Sequence, residues 1–487
     1  MQLIRHADRP ASEPGSPWQV VGTVCIGAFM AALDASIVTI ALPTLHEYFH
    51  TSTSVVDWVS IAYLLTLSSL LMVLGRFADH FGRSRMYTYG FGVFLVGSAL
   101  CGAALSVTWL IVFRVLQAIG AAMLQVNSVA LVTQYTPARE RGRAIGIQGA
   151  AQALGLSAGP AIGGALIALF GWRSIFYVNV PVGIFGIVMA ERLLPRDREV
   201  QPYDGFDFRG SVLMALAMIG ILWPLNAGYR MGWADPVVLG SLVIGFAAAV
   251  IFIRQEKVAR TPLINMNFFK SPIFFAGNAS GMLSYTVMYA TLFLWPWEFR
   301  TVQHLPVSEG GLVLTAVPIA MTALSPIAGK MADRLGGRSL TVAGMTVSAI
   351  GAAILALSTS MMSLAPIVLG LLLVGAGMGL FTAPNNSSVM GVVPRVELSS
   401  AGGFLNMARS LGMSLGVALG GTIFDGILLA TLGNENVSRA EGAFASHALL
   451  IAYLAVAAVA VLAALISALK SSSPKSTEDE ALQMDLI

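Results

Sequence analysis

The sequence predicts an all-α polytopic membrane protein, and three observations predict it. Of its 487 residues 56% are hydrophobic and only 11% charged, with a mean hydropathy of +0.77, far too apolar for an ordinary water-soluble domain. Apolar stretches of about 20 residues, enough to cross a hydrocarbon core of ~30 Å as helices, recur from Trp18 almost to the C-terminus. Lys and Arg concentrate on alternate connections, the asymmetry that orients membrane helices.

In chain order the spans fall at 18 to 42, 56 to 78, 86 to 106, 108 to 131, 142 to 169, 173 to 194, 209 to 228, 236 to 254, 272 to 298, 309 to 331, 339 to 359, 363 to 391, 399 to 429 and 447 to 469, fourteen in all. Residues 1–17 hold Arg5, Arg9, Pro10, Pro14 and Pro17 with no apolar core, so no cleavable signal is expected and the chain inserts by its own helices. Of the 28 basic residues, only Arg173, Arg230, Arg300 and Arg439 lie on the opposite side, with Arg114 and Arg409 inside spans. Both termini are therefore expected on the cytoplasmic side of the cell inner (cytoplasmic) membrane.

The net charge of +3 is spread over short loops, so no nucleic-acid partner is implied. Cys25 and Cys101 lie in apolar spans and read as small packing residues. No phosphate-cradling loop follows Gly329 and Lys330, and the six His residues show neither metal-ligand nor nucleophile spacing. An enzyme is excluded on this reading; no cofactor is expected, and uphill work must draw on an ion gradient.

The stretch "GRFADHFGRSR" (75 to 85) recurs as "GKMADRLGGRS" (329 to 339), the mark of an internally duplicated transporter architecture. The repeat divides the chain into a tail (1–17), an N-terminal six-helix bundle (18–194), a linker with two extra transmembrane helices (195–271), a C-terminal six-helix bundle (272–469) and a cytoplasmic disordered tail (470–487).

Buried ionisable groups carry the functional information, because each is costly at membrane depth unless paired or facing water. Asp34 lies roughly 12 Å below the outer end of its span, beside a small-residue face of Ala28, Ala31, Ala32, Ala35 and Thr39. Such an acid can load and release a proton; the competing reading is a packing pair with a buried base. Arg114, roughly 9 Å from the outer end of its own span, is the depth-matched partner, on a stripe with Gln117, Ala118, Ala121, Gln125 and Ser128. That stripe lines either water or an interhelical seam. In "GLSAGPAIGG" (155 to 164) Gly155, Gly159 and Gly163 step by four beside Pro160, which suits either a hinge or plain close packing. Asn406 and Arg409 share an inward face, and Asn278, Asn385, Tyr285, Tyr289 and Glu298 are cavity candidates. Trp295, Trp297 and Glu298 also fit an interfacial belt.

At these residues the sequence resembles the major facilitator superfamily, and within it the fourteen-span drug:proton antiporter family of EmrB-type multidrug exporters. The loop at 75 to 85 is similar to the superfamily's signature, with Gly75, Asp79, Gly82, Arg83 and Arg85 and a second-half copy at Asp333 and Arg334. "FRVLQAIGAA" (113 to 122) resembles the buried-arginine motif, and Gly155, Gly159, Pro160, Gly163 and Gly164 the antiporter motif that marks exporters. "LDASIVTIALP" (33 to 43), "WRSIFYVNVPVG" (172 to 183), "YDGFDFRG" (203 to 210) and "NMARSLGMSLGVA" (406 to 418) resemble further family stretches. Thr39 departs from the usual Asn, and Glu298 from the commoner Gln.

The resemblance implies alternating access of two bundles, a latch built on Asp79, Arg83 and Arg85, and export of a hydrophobic or amphipathic small molecule against protons carried by Asp34 with Arg114. The alternatives are a dedicated metabolite exporter, an importing symporter, or a non-transporting sensor, the last disfavoured because no soluble module is seen. The partners are the substrate, protons and the lipid bilayer; the sequence specifies no accessory periplasmic protein.

Overall fold

Backbone N–H and C=O groups inside lipid find partners only within their own segment, so apolar runs of this length must fold as helices. The computed structural model describes residues 16–51, 53–195, 197, 207–303, 307–361, 363–432 and 442–470. The N-terminal tail to residue 15, most of the linker at 195–206 and the C-terminal tail from 471 lie outside them, as do the side chains of Thr39, Pro160 and Asp333.

The helices are α1 (Pro17–Phe49), α2 (Thr53–Phe81), α3 (Arg83–Gly102), α4 (Val107–Tyr135), α5 (Arg141–Phe170), α6 (Ser174–Tyr177), α7 (Asn179–Leu193), α8 (Phe208–Met231), α9 (Pro236–Val258), α10 (Pro272–Thr301), α11 (Val307–Leu314), α12 (Ala316–Leu335), α13 (Gly337–Ser358), α14 (Leu364–Gly391), α15 (Leu398–Leu432) and α16 (Gly442–Ala468). Two predicted spans are broken in two, as α6 with α7 and α11 with α12.

The described helices support a smaller count than the fourteen expected. Among the described residues eleven helices are long and apolar enough to cross a membrane, or twelve when the bent α5 counts as one span. Helix occupies every predicted place, but α3 and α10 fall outside that set. Two arginines, Arg83 and Arg85, open the short α3, while Asn278, Ser280, Ser284, Glu298 and Arg300 interrupt the apolar character of α10.

Helices α1 to α7 form one half and α10 to α16 the other; each holds a buried apolar cluster, and the largest cluster runs across both and the α8–α9 hairpin. Within the halves α1 lies along α5, α3 along α4, α13 along α14 and α10 along α15. The halves meet where α2 packs on α15 and α5 on α12. Glycines allow the backbones to touch there: a Cβ on Gly75 would sit 2.5 Å from the Ser399 carbonyl oxygen, and one on Gly146 2.5 Å from that of Ser325. The α8–α9 hairpin lies beside this seam. Its α8 touches both α2 and α15, with Asn226 Nδ2 donating to Ser414 Oγ at 3.0 Å.

Candidate functional site: an enclosed ion pair, a charge network and a cavity

Asp34 of α1 and Arg114 of α4 meet. Arg114 Nη1 donates to Asp34 Oδ2 at 2.7 Å, and both side chains are sealed from solvent, at 0% and 1% exposure. The other carboxylate oxygen accepts from Gln117 Nε2 at 2.8 Å and from Asn179 Nδ2 of α7 at 3.0 Å. The guanidinium also donates to the Gln117 side chain and the Val59 carbonyl, and lies 4.0 Å from the Tyr63 ring centre. Three charge-assisted or amide donors on one carboxylate offset much of its desolvation. Gln117, a cavity candidate by sequence, belongs instead to this cluster. Asn179 and Tyr63 are members that the sequence reading missed; Asn179 stood out only as an amide inside the apolar run at 172 to 183.

A charge network around Asp79 and Arg83 joins the two halves. Asp79, near the end of α2, pairs with Arg83 at 2.7 Å and accepts the backbone N–H groups of Ser399 at 3.0 Å and Ser400 at 2.9 Å in the first turn of α15. Those amides have no partner within their own helix, and the helix dipole favours an anion there. Arg83 extends the network to Gln134 of α4, Ser399 Oγ and the Arg395 carbonyl. Gly82, at φ +105°, makes the turn into α3, whose first amides, Ser84 and Arg85, are held by Asp197. The Arg85 side chain is exposed, and so is Arg334 of the second-half copy. Ser399 and Ser400 were legible only as hydroxyls at a helix start.

On the α1 side of α5 the glycine ladder makes close contact. A Cβ on Gly155 would meet the Phe29 carbonyl at 2.5 Å, and Gly159 and Gly163 face Ser36 and Ile37, whereas Gly164 faces open space. The helix bends by 43° between Gly159 and Ile162, the place where Pro160 lacks its N–H.

A narrow cavity of ≈ 10 Å³ lies between α10, α14 and α15, lined by Asn278, Tyr285, Phe381, Asn385, Asn386 and Arg409 among others. It is too small for a drug-sized molecule in this conformation. Arg409 contacts the opposite half through Gln152 of α5 at 3.4 Å and stacks 4.8 Å from the Tyr285 ring centre. Asn406 spans the seam to the Gln125 carbonyl at 3.3 Å, and Tyr289 packs against a small cluster holding Ala153 and Met321.

Three placements differ from expectation. Glu298 is fully buried in the C-terminal half, where its Oε2 accepts from Tyr453 of α16 at 2.8 Å, so it does not line the cavity. Its neighbour Trp295 is also fully buried, donating to the Gly310 carbonyl at 2.7 Å, which removes it from an interfacial belt. Lys470, taken from the sequence as the first residue of a cytoplasmic tail, is 2% exposed and donates to Asn385 Oδ1 at 2.6 Å.

Two helical halves meet at a charge-capped seam, with the small cavity inside the C-terminal half, and the family and relatives that the chain matches are membrane transporters, not enzymes. The chain matches the Major Facilitator Superfamily over residues 24–264 and 278–484, and it belongs to that family. It is 34% identical to the riboflavin transporter RibZ of Clostridioides difficile, covering 84% of this chain and 88% of that protein. It is 31% identical to the multidrug resistance protein Stp of Mycobacterium tuberculosis, covering 84% and 76%. Its fold superposes on the proton:xylose symporter XylE with a TM-score of 0.67 at 14% identity, over 96% of this chain and 98% of that one.

Proposed function

We propose that the protein is a proton-coupled antiporter that exports hydrophobic or amphipathic compounds across the cytoplasmic membrane by alternating access of its two halves. The enclosed Asp34–Arg114 pair carries this reading. Protonating Asp34 removes the charge that compensates Arg114, and a buried cation left alone is unfavourable by about 3–5 kcal/mol. A conformation that lets Arg114 find water or another acceptor then gains on the present one, so proton binding biases the halves. The latch face, where Asp79 of α2 caps the start of α15, is the cytoplasmic one in this proposal, and its network holds the closed state until α5 and α15 move.

Counting α3 and α10 as crossings brings the helices to fourteen, supported by their lying along α4 and α15. An even number puts both termini on one side, and the Lys and Arg asymmetry makes that side the cytoplasmic one. The multidrug relative supports broad export, and the riboflavin transporter supports a second reading, a carrier dedicated to one polar aromatic metabolite. The amide-rich cavity wall favours keeping that reading open.

Uptake of a dye panel into inverted membrane vesicles, driven by an imposed proton gradient, tests the proposal. Asp34→Asn at normal membrane abundance should abolish gradient-driven uptake while leaving dye binding. Undiminished proton-driven uptake would remove Asp34 from the coupling role.

A further inference from the structure

The C-terminal half holds two buried cations for which the described residues supply no acid. Arg409 is 5% exposed; its hydrogen bond is a long one to the neutral Gln152, its flat face rests on Tyr285, and its Nε has no partner among the described residues. Lys470 reaches in from the end of α16, bonding the Asn385 amide oxygen with its Nζ 5.3 Å from the Phe381 ring centre. Arg409, Asn385 and Phe381 all line the same cavity, and among the described residues no Asp or Glu lines it. The contrast lies within one molecule: Arg114, equally buried, is given a carboxylate at 2.7 Å.

Buried charges are kept where they are paired or where they meet a ligand. We infer that this cavity takes an anionic, planar aromatic molecule, whose acidic group is held by Arg409 with Lys470 behind the Asn385 wall. A guanidinium presents a planar fork of donors that suits a carboxylate or sulfonate, and the unpartnered Nε leaves part of that fork available. Tyr285 and Phe381 supply aromatic faces for a flat ring system. Asn278, whose Oδ1 is buried without a partner among the described residues, adds an acceptor for a ring N–H or hydroxyl. A cationic dye of the same shape would meet Arg409, joined at acidic pH by protonated Lys470, and no acid among the described residues, which opposes it. The present cavity must widen to admit such a ligand, and the α5–α12 and α2–α15 seams are where the halves can part. The inference rests on the transporter reading only in taking this cavity as the substrate's route.

The test uses two xanthene dyes of one scaffold and opposite charge, sulforhodamine B (net anionic) and rhodamine 6G (cationic). Binding to the purified full chain in lipid nanodiscs is read by fluorescence anisotropy. The wild type should bind sulforhodamine B at least about 10-fold more tightly than rhodamine 6G. Arg409→Gln should erase that preference, Arg409→Lys should keep part of it, and Lys470→Gln should weaken sulforhodamine B several-fold. Equal or tighter binding of rhodamine 6G by the wild type overturns the inference, as does an unchanged preference in folded Arg409→Gln. Should Arg409→Gln fail to fold, the wild-type ratio and Lys470→Gln decide alone. Charge-selective binding without proton-driven flux in inverted vesicles would sink the exporter reading and leave the cavity's assignment standing. Proton-driven flux of rhodamine 6G, with sulforhodamine B neither bound nor moved, would do the reverse.

Discussion

Arg114 and Lys470 are buried cations with opposite provision. Arg114 has a carboxylate, a glutamine, a backbone carbonyl and an aromatic face, whereas Lys470 has, among the described residues, one amide oxygen and a ring. Lys470 lies beyond the α16 span, and burial pushes its ammonium down to about 7 from the ordinary value of 10.5. The folded chain therefore holds fewer protons than the unfolded chain between those values, so stability rises with pH from about 7 upward and the burial penalty is fully present below it. Lys470→Gln removes this titration. Its advantage in apparent melting temperature over the wild type should be largest near pH 6 and shrink toward pH 9, measured in one detergent by differential scanning fluorimetry. A pH-independent difference would show that the amine is solvated in the folded protein.

At the scale of the helix, the contact between α1 and α5 is set by what is missing from the glycines. A methyl at Gly155 has no room against the Phe29 carbonyl and the Ala32 side chain, whereas one at Gly164 meets nothing within 4 Å. Gly155→Ala should therefore cost about 1–3 kcal/mol through overpacking, seen as a lower melting temperature and reduced transport, with Gly164→Ala as the near-silent control. The four-residue glycine spacing was legible in the chain because an α-helix returns to the same face after about that interval. Which helix it would touch was not. The same holds for α8: its apolar length announced a helix, but only packing placed it on α2 and α15, with Trp233 Nε1 donating to Thr422 at 2.8 Å.

For the whole molecule, the seam between the halves is closed on the face where Asp79 caps α15. Asp79→Asn removes the anion from the α15 N-terminus and from Arg83, so the two halves should separate more often on that face. Spin labels on exposed positions flanking the α5–α12 contact, Arg139→Cys and Lys330→Cys with Cys25 and Cys101 replaced, would report this. The distance distribution should broaden toward longer values in Asp79→Asn; an unchanged distribution would leave the network a topological marker without a latch role. This network is the part of the site least legible in the sequence. The loop's own charges were visible, but their partners Ser399 and Ser400 lie 320 and 321 residues further along the chain.

By itself the sequence determined the helical membrane class, the two-half duplication, the buried acid and arginine, and the small-residue face of α5. Each of these is written locally, in hydropathy over one span or in spacing over a few turns. Tertiary structure alone decided that Gln117 and Asn179 turn toward Asp34, that Glu298 points into the C-terminal core at Tyr453, and that Lys470 closes on the cavity wall. A polar side chain in an apolar run must find a partner, which the chain announces. Its identity depends on the depth, rotation and tilt at which distant helices pack, and no local pattern encodes those.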